Sequence, residues 1–574
     1  MSSSLIDLRP DRRLLDHEFE GYRLNLQALP HFSHDLSSPV DRVFPDDVQY
    51  SFIHAKLFAL HNHLVADKWD YTHSFYYIDQ KQQVRHISFD NTNRSFQNKV
   101  VYDVPAHVER KPGHFNLCLS FPSSTTAVVS DGTGFLHIVN TRARNRPSVC
   151  NTMWETLQSS LVLGDEKYFI IVDSRIIDKD GADILHCLLQ SVEQNDNHFY
   201  SVLSWVAFKF DENDSSWCQT SFREVQGKGI VHYAALETSC SAMYIASDHL
   251  FKFTKDLEKE IVEKTEEVKT ILYTWLQTTE DITITIKLEE NFEKRLLLVN
   301  VGPLDVKLSY AGKDFMNGRL QNRVDSELTT WNVQDDGQVN VLLTKSDSMM
   351  WDDLVEGGDK NGEQVMDESL IEEAHRKLAH LCSETEVTEA EPSAPGMSTQ
   401  ELEECDAASE EDTVLVRLDT NHVTTHRVPL SVHRYLFSIT SDPQQSPAIA
   451  LRHDVDACIW QPYPATNNTF LVHEGTLMAF GYIQSSKTNR KFTTCPPNMS
   501  YGVVCESSRH VFVYQQNGGG GQLRLRCGGV SRAVKIGQQN VINVERYGEV
   551  LGIEATNDYL FILTETMLVA ISIQ

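Results

Sequence analysis

The chain is short of positive charge: 51 Lys and Arg stand against 80 Asp and Glu, a formal net of -29 on 574 residues. Holding nucleic-acid phosphates needs the opposite balance, so direct nucleic-acid binding is disfavoured. Glycine is sparse at 28 residues, which excludes a collagen-like repeat. No run of about 18 apolar residues occurs, and the opening Met-Ser-Ser-Ser-Leu-Ile-Asp-Leu-Arg-Pro lacks the apolar core of a secretory signal. The expectation is a chain without membrane insertion, resident in the cytoplasm and with the nucleus open to it. Eleven cysteines (118, 150, 187, 218, 240, 382, 405, 458, 495, 505 and 527) are odd in number and form no Cys-x-x-Cys pair. They read as buried reduced thiols.

Local catalytic motifs are missing as well. Gly518-Gly519-Gly520-Gly521 lacks the Gly-Lys-Ser/Thr that a phosphate-binding loop requires, and reads as a hairpin loop. Neither a His-Glu-x-x-His helix nor a Gly-x-Ser-x-Gly elbow is present. His453-Asp454-x-Asp456 carries metal-ligand donors, but on a strand His453 and Asp454 point to opposite faces, which favours a strand-end hydrogen-bond cluster. His61-x-His63 faces one way without a third ligand, and Arg142-x-Arg144-x-Arg146 reads as a solvated loop. No catalytic residue, cofactor or metal ligand is therefore assigned, and a metal-dependent propeller enzyme is the least favoured reading.

Apolar residues make up 41% and aromatics 9%, enough for sizeable cores. Before about residue 255, short alternating runs separated by polar turns give an all-β signature. Thr126–Ser130 and Phe135–Val139, joined through Asp131-Gly132, form the clearest hairpin. Looser copies occur at Ala242–Phe253, Tyr501–Tyr514 and Tyr559–Ile573. Such hairpins over both ends of the chain predict a β-propeller of about seven blades, formed by 1–255 and 413–574, with two stacked sandwiches as the alternative. Tyr22–Leu26 is expected to complete the blade that Leu568–Ile573 leave open.

The middle differs. Ile282, Ile284, Ile286 and Leu288 alternate with Thr283, Thr285 and Lys287, a half-buried strand. Further strands at 296–301, 304–310, 328–333 and 339–343 predict an antiparallel β-sandwich over 268–357. Within 358–412, Leu370, Ile371, Ala374, Leu378 and Leu381 predict one amphipathic helix over Asp367–Cys382. Ser383–Asp412 holds eleven acids and no Lys or Arg, the composition of a disordered linker. From Asp352 to Asp412 the net charge is -17, so most of the acidity has this one address.

Tyr273-Thr274-Trp275-Leu276-Gln277-Thr278-Thr279-Glu280-Asp281 ahead of the alternating Ile strand resembles the opening of a CS domain of the NudC family. Trp331, then Trp351 and Leu354 closing the domain, agree with it. The arrangement of the whole chain, including Gln400–Asp406 and Leu451–Ala457, is similar to one long member of that family. The resemblance implies that Tyr273, Trp275, Gln277, Thr278, Trp331, Trp351 and Leu354 are structural, with Trp275 a core anchor. It also implies a non-enzymatic co-chaperone that associates with the Hsp90 chaperone and with clients that are themselves β-propeller or WD-repeat proteins. An adaptor in trafficking or RNA metabolism, with the CS domain as a regulatory arm, is the alternative.

Overall fold

The hairpin at Asp131-Gly132 shows how local chemistry fixes the strands. Asp131 accepts hydrogen bonds from the Thr133 and Phe135 N–H groups at 2.8 and 3.1 Å, and Gly132 takes φ 73°. A Cβ at Gly132 would stand 2.1 Å from the Phe115 carbonyl oxygen, so a side chain cannot be seated there. The flanking strands, Thr126–Ser130 and Phe135–Asn140, pair antiparallel as expected.

The computed structural model describes residues 4–70, 73–144, 153–179, 181–195, 198–211, 216–259, 272–278, 280–288, 294–333, 338–346, 351, 354–355, 362–365, 413–430, 433–466, 469–516, 520–523 and 532–573. The helix expected over 367–382 and the acidic linker 383–412 lie outside the described residues. The chain divides into two compact units, Met1–Ile261 with Ser398–Gln574, and Val262–Met397.

Among the described residues the larger unit has seven sheets of four to six strands. Sheet I is Val65–Ala66, Ser74–Ile78, Gln83–Asp90 and Ser95–Asp103; sheet II is Cys118–Ser120, Thr126–Ser130, Phe135–Asn140 and Glu155–Leu161. Sheet III has four long strands, Ile170–Lys179, Ala182–Asn195, His198–Asp211 and Ser216–Lys228. Sheet IV joins Val231–Leu236 and Ala242–Ser247 to Val414–Asp419 and Thr424–Pro429. Sheet V is Tyr435–Ile439, Ala448–His453, Asp456–Thr466 and Thr469–Leu477. Sheet VI is Arg490–Thr494, Tyr501–Glu506, His510–Gln515 and Arg532–Asn543, with the short Gly520–Leu523 on the last; sheet VII is Val550–Ala555, Tyr559–Thr564 and Met567–Ser572.

Each sheet is apolar on both faces because it packs against two others. Sheets I and II share Tyr76, Leu119 and Val129; II and III share Ile138, Leu185 and Phe208; III and IV share Leu203, Trp205 and Met243. Tyr244 and Trp460 join IV to V, Ile459 and Tyr514 join V to VI, and Val513 and Ile562 join VI to VII. Phe561 and Phe75 then return the cycle to sheet I. The first strands of neighbouring sheets touch, II to III, III to IV, V to VI and VI to VII, which places them around the axis. A cyclic stack of meandering sheets of this kind is a β-propeller.

The N-terminal segment corrects the expected closure. Phe19–Leu24 pairs in parallel with Arg532–Asn543, on the edge of sheet VI. The strand that completes sheet VII is His31–Asp35, antiparallel to Met567–Ser572. Ser4–Leu5 likewise adds in parallel to Thr424–Pro429 of sheet IV. An outermost strand buries little, so His31–Asp35, with an exposed-intermediate alternation, carries no strong apolar signal.

The second unit interrupts sheet IV between its second and third strands. After Ser247 the chain adds Lys252–Asp256 to the outer edge of sheet III and returns as Val414–Asp419, paired with Ala242–Ser247 from Ala242↔Asp419 to Ser247↔Val414. Glu237 and Arg417 seal this seam: Arg417 Nε donates to Glu237 Oε1 and its Nη2 to Oε2, both at 2.8 Å, while Tyr244 and Ser241 donate to the same carboxylate at 2.9 and 2.6 Å.

The smaller unit is a sandwich. One sheet runs Val324–Val333, Gln338–Lys345, Asp281–Lys287, Tyr273–Gln277, Gly362–Gln364; the other is Leu297–Val301, Asp305–Tyr310 and Lys313–Arg319. The expected strands are present, each within a few residues of its predicted bounds save Val324–Val333, which begins earlier, and Lys313–Arg319 is an addition. Two short helices in the larger unit, α1 (Phe52–Ala59) and α2 (Phe480–Ser485), also had no clear period in the sequence.

Burial pushes the Glu237 carboxyl up, but hydrogen bonds from Arg417, Ser241 and Tyr244 outweigh it and hold the group below its ordinary value of 4.5. The seam's contribution is therefore complete above about pH 4.5 and is lost as pH falls through the lowered value. Arg417→Ala should cost about 3–5 kcal/mol in chemical denaturation, because it strands a buried carboxylate. Glu237→Gln should flatten the acid limb of the stability profile; an unchanged limb would count against this assignment.

Candidate functional site

The residues singled out at 273–278 form one structural lock. Tyr273, Trp275 and Gln277 fall on the inward phase of their strand, and Trp275 opposes Ile284 in the core. Gln277 is a buried amide among hydrocarbon, and its hydrogen bonds explain why it is there. Its Nε2 donates to the Trp351 carbonyl at 2.7 Å, and its Oε1 accepts from the Trp351 N–H at 2.9 Å and from Lys345 Nζ at 2.8 Å. Lys345 also donates to the Thr278 carbonyl at 2.8 Å and lies 5.6 Å from the Trp351 ring centre. Thr278 Oγ1 accepts the Asp281 N–H at 3.0 Å, turning the chain into the Ile strand. The clamp docks Trp351, 2% exposed, and Leu354 is fully buried beside it in the same core.

Lys345 was not singled out from the sequence, although a signal exists. In Val339, Val341, Leu343, Lys345 the period of two puts the lysine on the core face, where a charge demands partners. Trp331 opposes Val341 on the edge strand of this sheet and is 41% exposed.

The opposite face of this sheet carries the alternate residues of each strand. Thr330, Leu342, Thr283 and Leu276 succeed one another across four strands. Leu342 is exposed there, while Ile282, Ile284, Val339 and Val341 on the other face are buried; Leu328, in the irregular stretch between Asp325 and Thr330, is exposed as well.

Other candidates resolve into structure. His453 opposes Asp456 across a tight turn at Asp454 (φ 52°); the Asp456 carboxylate accepts the Ala479 N–H at 2.5 Å, and the His453 ring stacks on His433. That is the strand-end cluster expected. Among the described residues no group of three His, Cys, Asp or Glu is placed to hold a metal. His61 and His63 meet edge to face at 4.6 Å, and burial holds His61 down at about 4. Arg144 corrects the solvated-loop reading: it is 4% exposed, donating to Asp67 at 2.6 Å and lying over the Phe121 ring. Cysteines 118, 187, 240, 458, 495 and 505 are buried and Cys218 is exposed; burial pushes the Cys118 and Cys505 thiols up to about 12. No helix among the described residues is long and apolar enough to cross a membrane.

The CS domain family matches residues 271–345. Over nearly its whole length the chain is similar to NudC domain-containing protein 1 of Mus musculus, at 32% identity over 98% of each chain. It is likewise similar to NudC domain-containing protein 1 of Xenopus tropicalis, at 34% identity over 100% of this chain and 99% of that one. A solved structure, the nuclear movement protein from E. cuniculi GB-M1, is 24% identical over 15% of this chain and 98% of its own, with a TM-score of 0.14.

Gln277→Leu removes the Trp351 clamp and leaves Lys345 with one fewer acceptor, at an expected cost of about 1–3 kcal/mol. Hydrogen exchange on the full chain should show faster exchange confined to 272–345, with sheets I–VII unchanged. Equal protection in both proteins would mean that the clamp carries no load.

Proposed function

The chain belongs to the family of NudC domain-containing protein 1, and on that premise we propose that it acts by binding alone, as a co-chaperone-like adaptor. The observation that carries this reading is the outward sheet face of the CS unit. Its inward residues are committed to the core and to the Gln277 clamp, whereas the outward face bearing Leu342 carries side chains that can meet a partner. In this reading the partner of that face is the Hsp90 chaperone, and the clients are proteins that themselves contain β-propellers. The chain would work without a cofactor, in the cytoplasm or the nucleus.

A second reading rests on a different surface. Phe44, Val48, Tyr50 and Phe52 are each at least 60% exposed within nine residues of the segment that joins sheet VII to sheet I. Exposed aromatics this close together favour a protein partner for the propeller itself, as in an adaptor for trafficking or RNA metabolism. Two such surfaces on one chain raise the effective concentration of the second contact once the first is made.

The span 268–357 should fold alone, giving a cooperative melt by circular dichroism. Purified Hsp90 should bind the full chain, and Leu328→Lys with Leu342→Lys should weaken binding by about tenfold or more while leaving the melt unchanged. A full chain that binds neither Hsp90 nor propeller-containing clients would falsify the first reading. Partners that survive deletion of 268–412 belong to the propeller and support the second.

A further inference from the structure

Helix α1 lies against the axial side of the ring. Lys56 donates to the Val231 carbonyl at 3.3 Å, where the first strand of sheet IV begins, and Phe58 packs edge to face on Phe115, ahead of sheet II. Ile53, Lys56, Leu57 and Leu60 follow the i, i+3, i+4, i+7 spacing of one helix face. That face lines a cavity of about 250 Å³, opposite Ile170 and Val231 at the starts of sheets III and IV, with His61, Asn62 and Gln190 as the polar part of its wall. One charged side chain therefore stands in an apolar stripe.

The same protein shows what a satisfied buried lysine looks like. Lys345 has two acceptors at 2.8 Å and an aromatic ring. Lys56 has one carbonyl at the long end of hydrogen-bonding distance. Among the described residues no carboxylate forms an ion pair with it. Asp248 is the acid whose charge acts on it, and that carboxylate is already engaged by His232 Nε2 at 2.6 Å and by the Ile230 N–H at 3.1 Å. Burial accordingly pulls Lys56 down to about 8, so it is still mostly an ammonium at neutral pH. A half-buried ammonium whose one acting carboxylate is shared with His232 gains little from folding, and methionine at the same place would pack without the desolvation cost.

We propose that the cavity beneath α1 is a binding site for a small amphipathic carboxylate, whose anionic head pairs with Lys56 and whose hydrocarbon body lies against Ile53, Leu57, Leu60, Ile170 and Val231. The head supplies the direct ion pair that Lys56 lacks among the described residues. The volume sets the size of the body: a cavity of about 150 Å³ accommodates benzene, so this one takes an aromatic ring with its carboxylate or a short acyl chain. The Gln190 amide, also on the cavity wall, is available to the second carboxylate oxygen. The site owes nothing to the CS unit and does not depend on the adaptor reading.

The test is calorimetric titration of the full chain with octanoate, octanol and octylamine, repeated on Lys56→Met. Octanoate should bind, octylamine should bind at least about tenfold more weakly, and Lys56→Met should lose about tenfold or more of the octanoate affinity while keeping that for octanol. The variant should also melt no lower than the parent. The proposal is overturned if octanoate does not bind, if octylamine binds as well, or if Lys56→Met binds octanoate equally. The comparison of anion with cation on the unaltered chain decides the matter even if the variant folds poorly.

Discussion

The ring depends on a pairing between segments that the sequence holds far apart. Ala242–Ser247 and Val414–Asp419 are neighbours in sheet IV although the whole CS unit lies between them in the chain. Without that pairing sheet IV would be two hairpins with bare edges, and sheets III and V would lose the partner that covers their inner faces. Closing so long a loop costs only slightly more entropy than closing a short one, since the cost grows with the logarithm of length. The Glu237–Arg417 pair stands at this seam, with every oxygen of the carboxylate satisfied. Specific geometry at the join matters because strand pairing alone tolerates a slip of register, and a slip of one residue would exchange the side chains packed toward sheet III, such as Val416, for those packed toward sheet V, such as Leu415.

The rest of the ring repeats one physical solution. Every sheet is covered on both faces by its neighbours, so the strands read as near-continuous apolar runs rather than strict alternation, as in Tyr501–Glu506 and Tyr559–Thr564. Closure then falls to the N-terminal segment, which lays strands on the outer edges of sheets IV, VI and VII in turn. Ends that would otherwise be open to pairing with other chains are thereby occupied.

Function lies where the fold leaves something unsatisfied. The residues that identify the CS unit are consumed by its own core: Trp275 by packing, Gln277 and Lys345 by the backbone of Trp351 and Thr278. What remains is the outward sheet face, the exposed aromatics at 44–52, and one ammonium over an apolar cavity. A protein with a CS domain and a cluster of exposed apolar side chains at 44–52 is suited to holding other proteins, whereas the Lys56 cavity suits a small ligand.

Much of this was legible in the chain. Alternation pointed to Asp281–Lys287, Asp131-Gly132 to its hairpin, and the resemblance of Tyr273–Asp281 to the opening of a CS domain to the kind of sandwich. Those signals are local, so they survive without a structure. The burial of Arg144, the partner of Lys345 and the place of His31–Asp35 were not legible for the opposite reason. Arg144 is buried by Asp67, 77 residues away, and Lys345 by Gln277, 68 residues away. His31–Asp35 is placed by a strand at the far end of the chain. The sequence by itself determined the strand periodicity, the family and the place of the acidity, because these depend on neighbours a few residues apart. The cyclic order of the sheets, the closing strand and the lone ammonium under α1 were decided only by the tertiary structure, because burial and pairing between distant segments give each of those residues its environment.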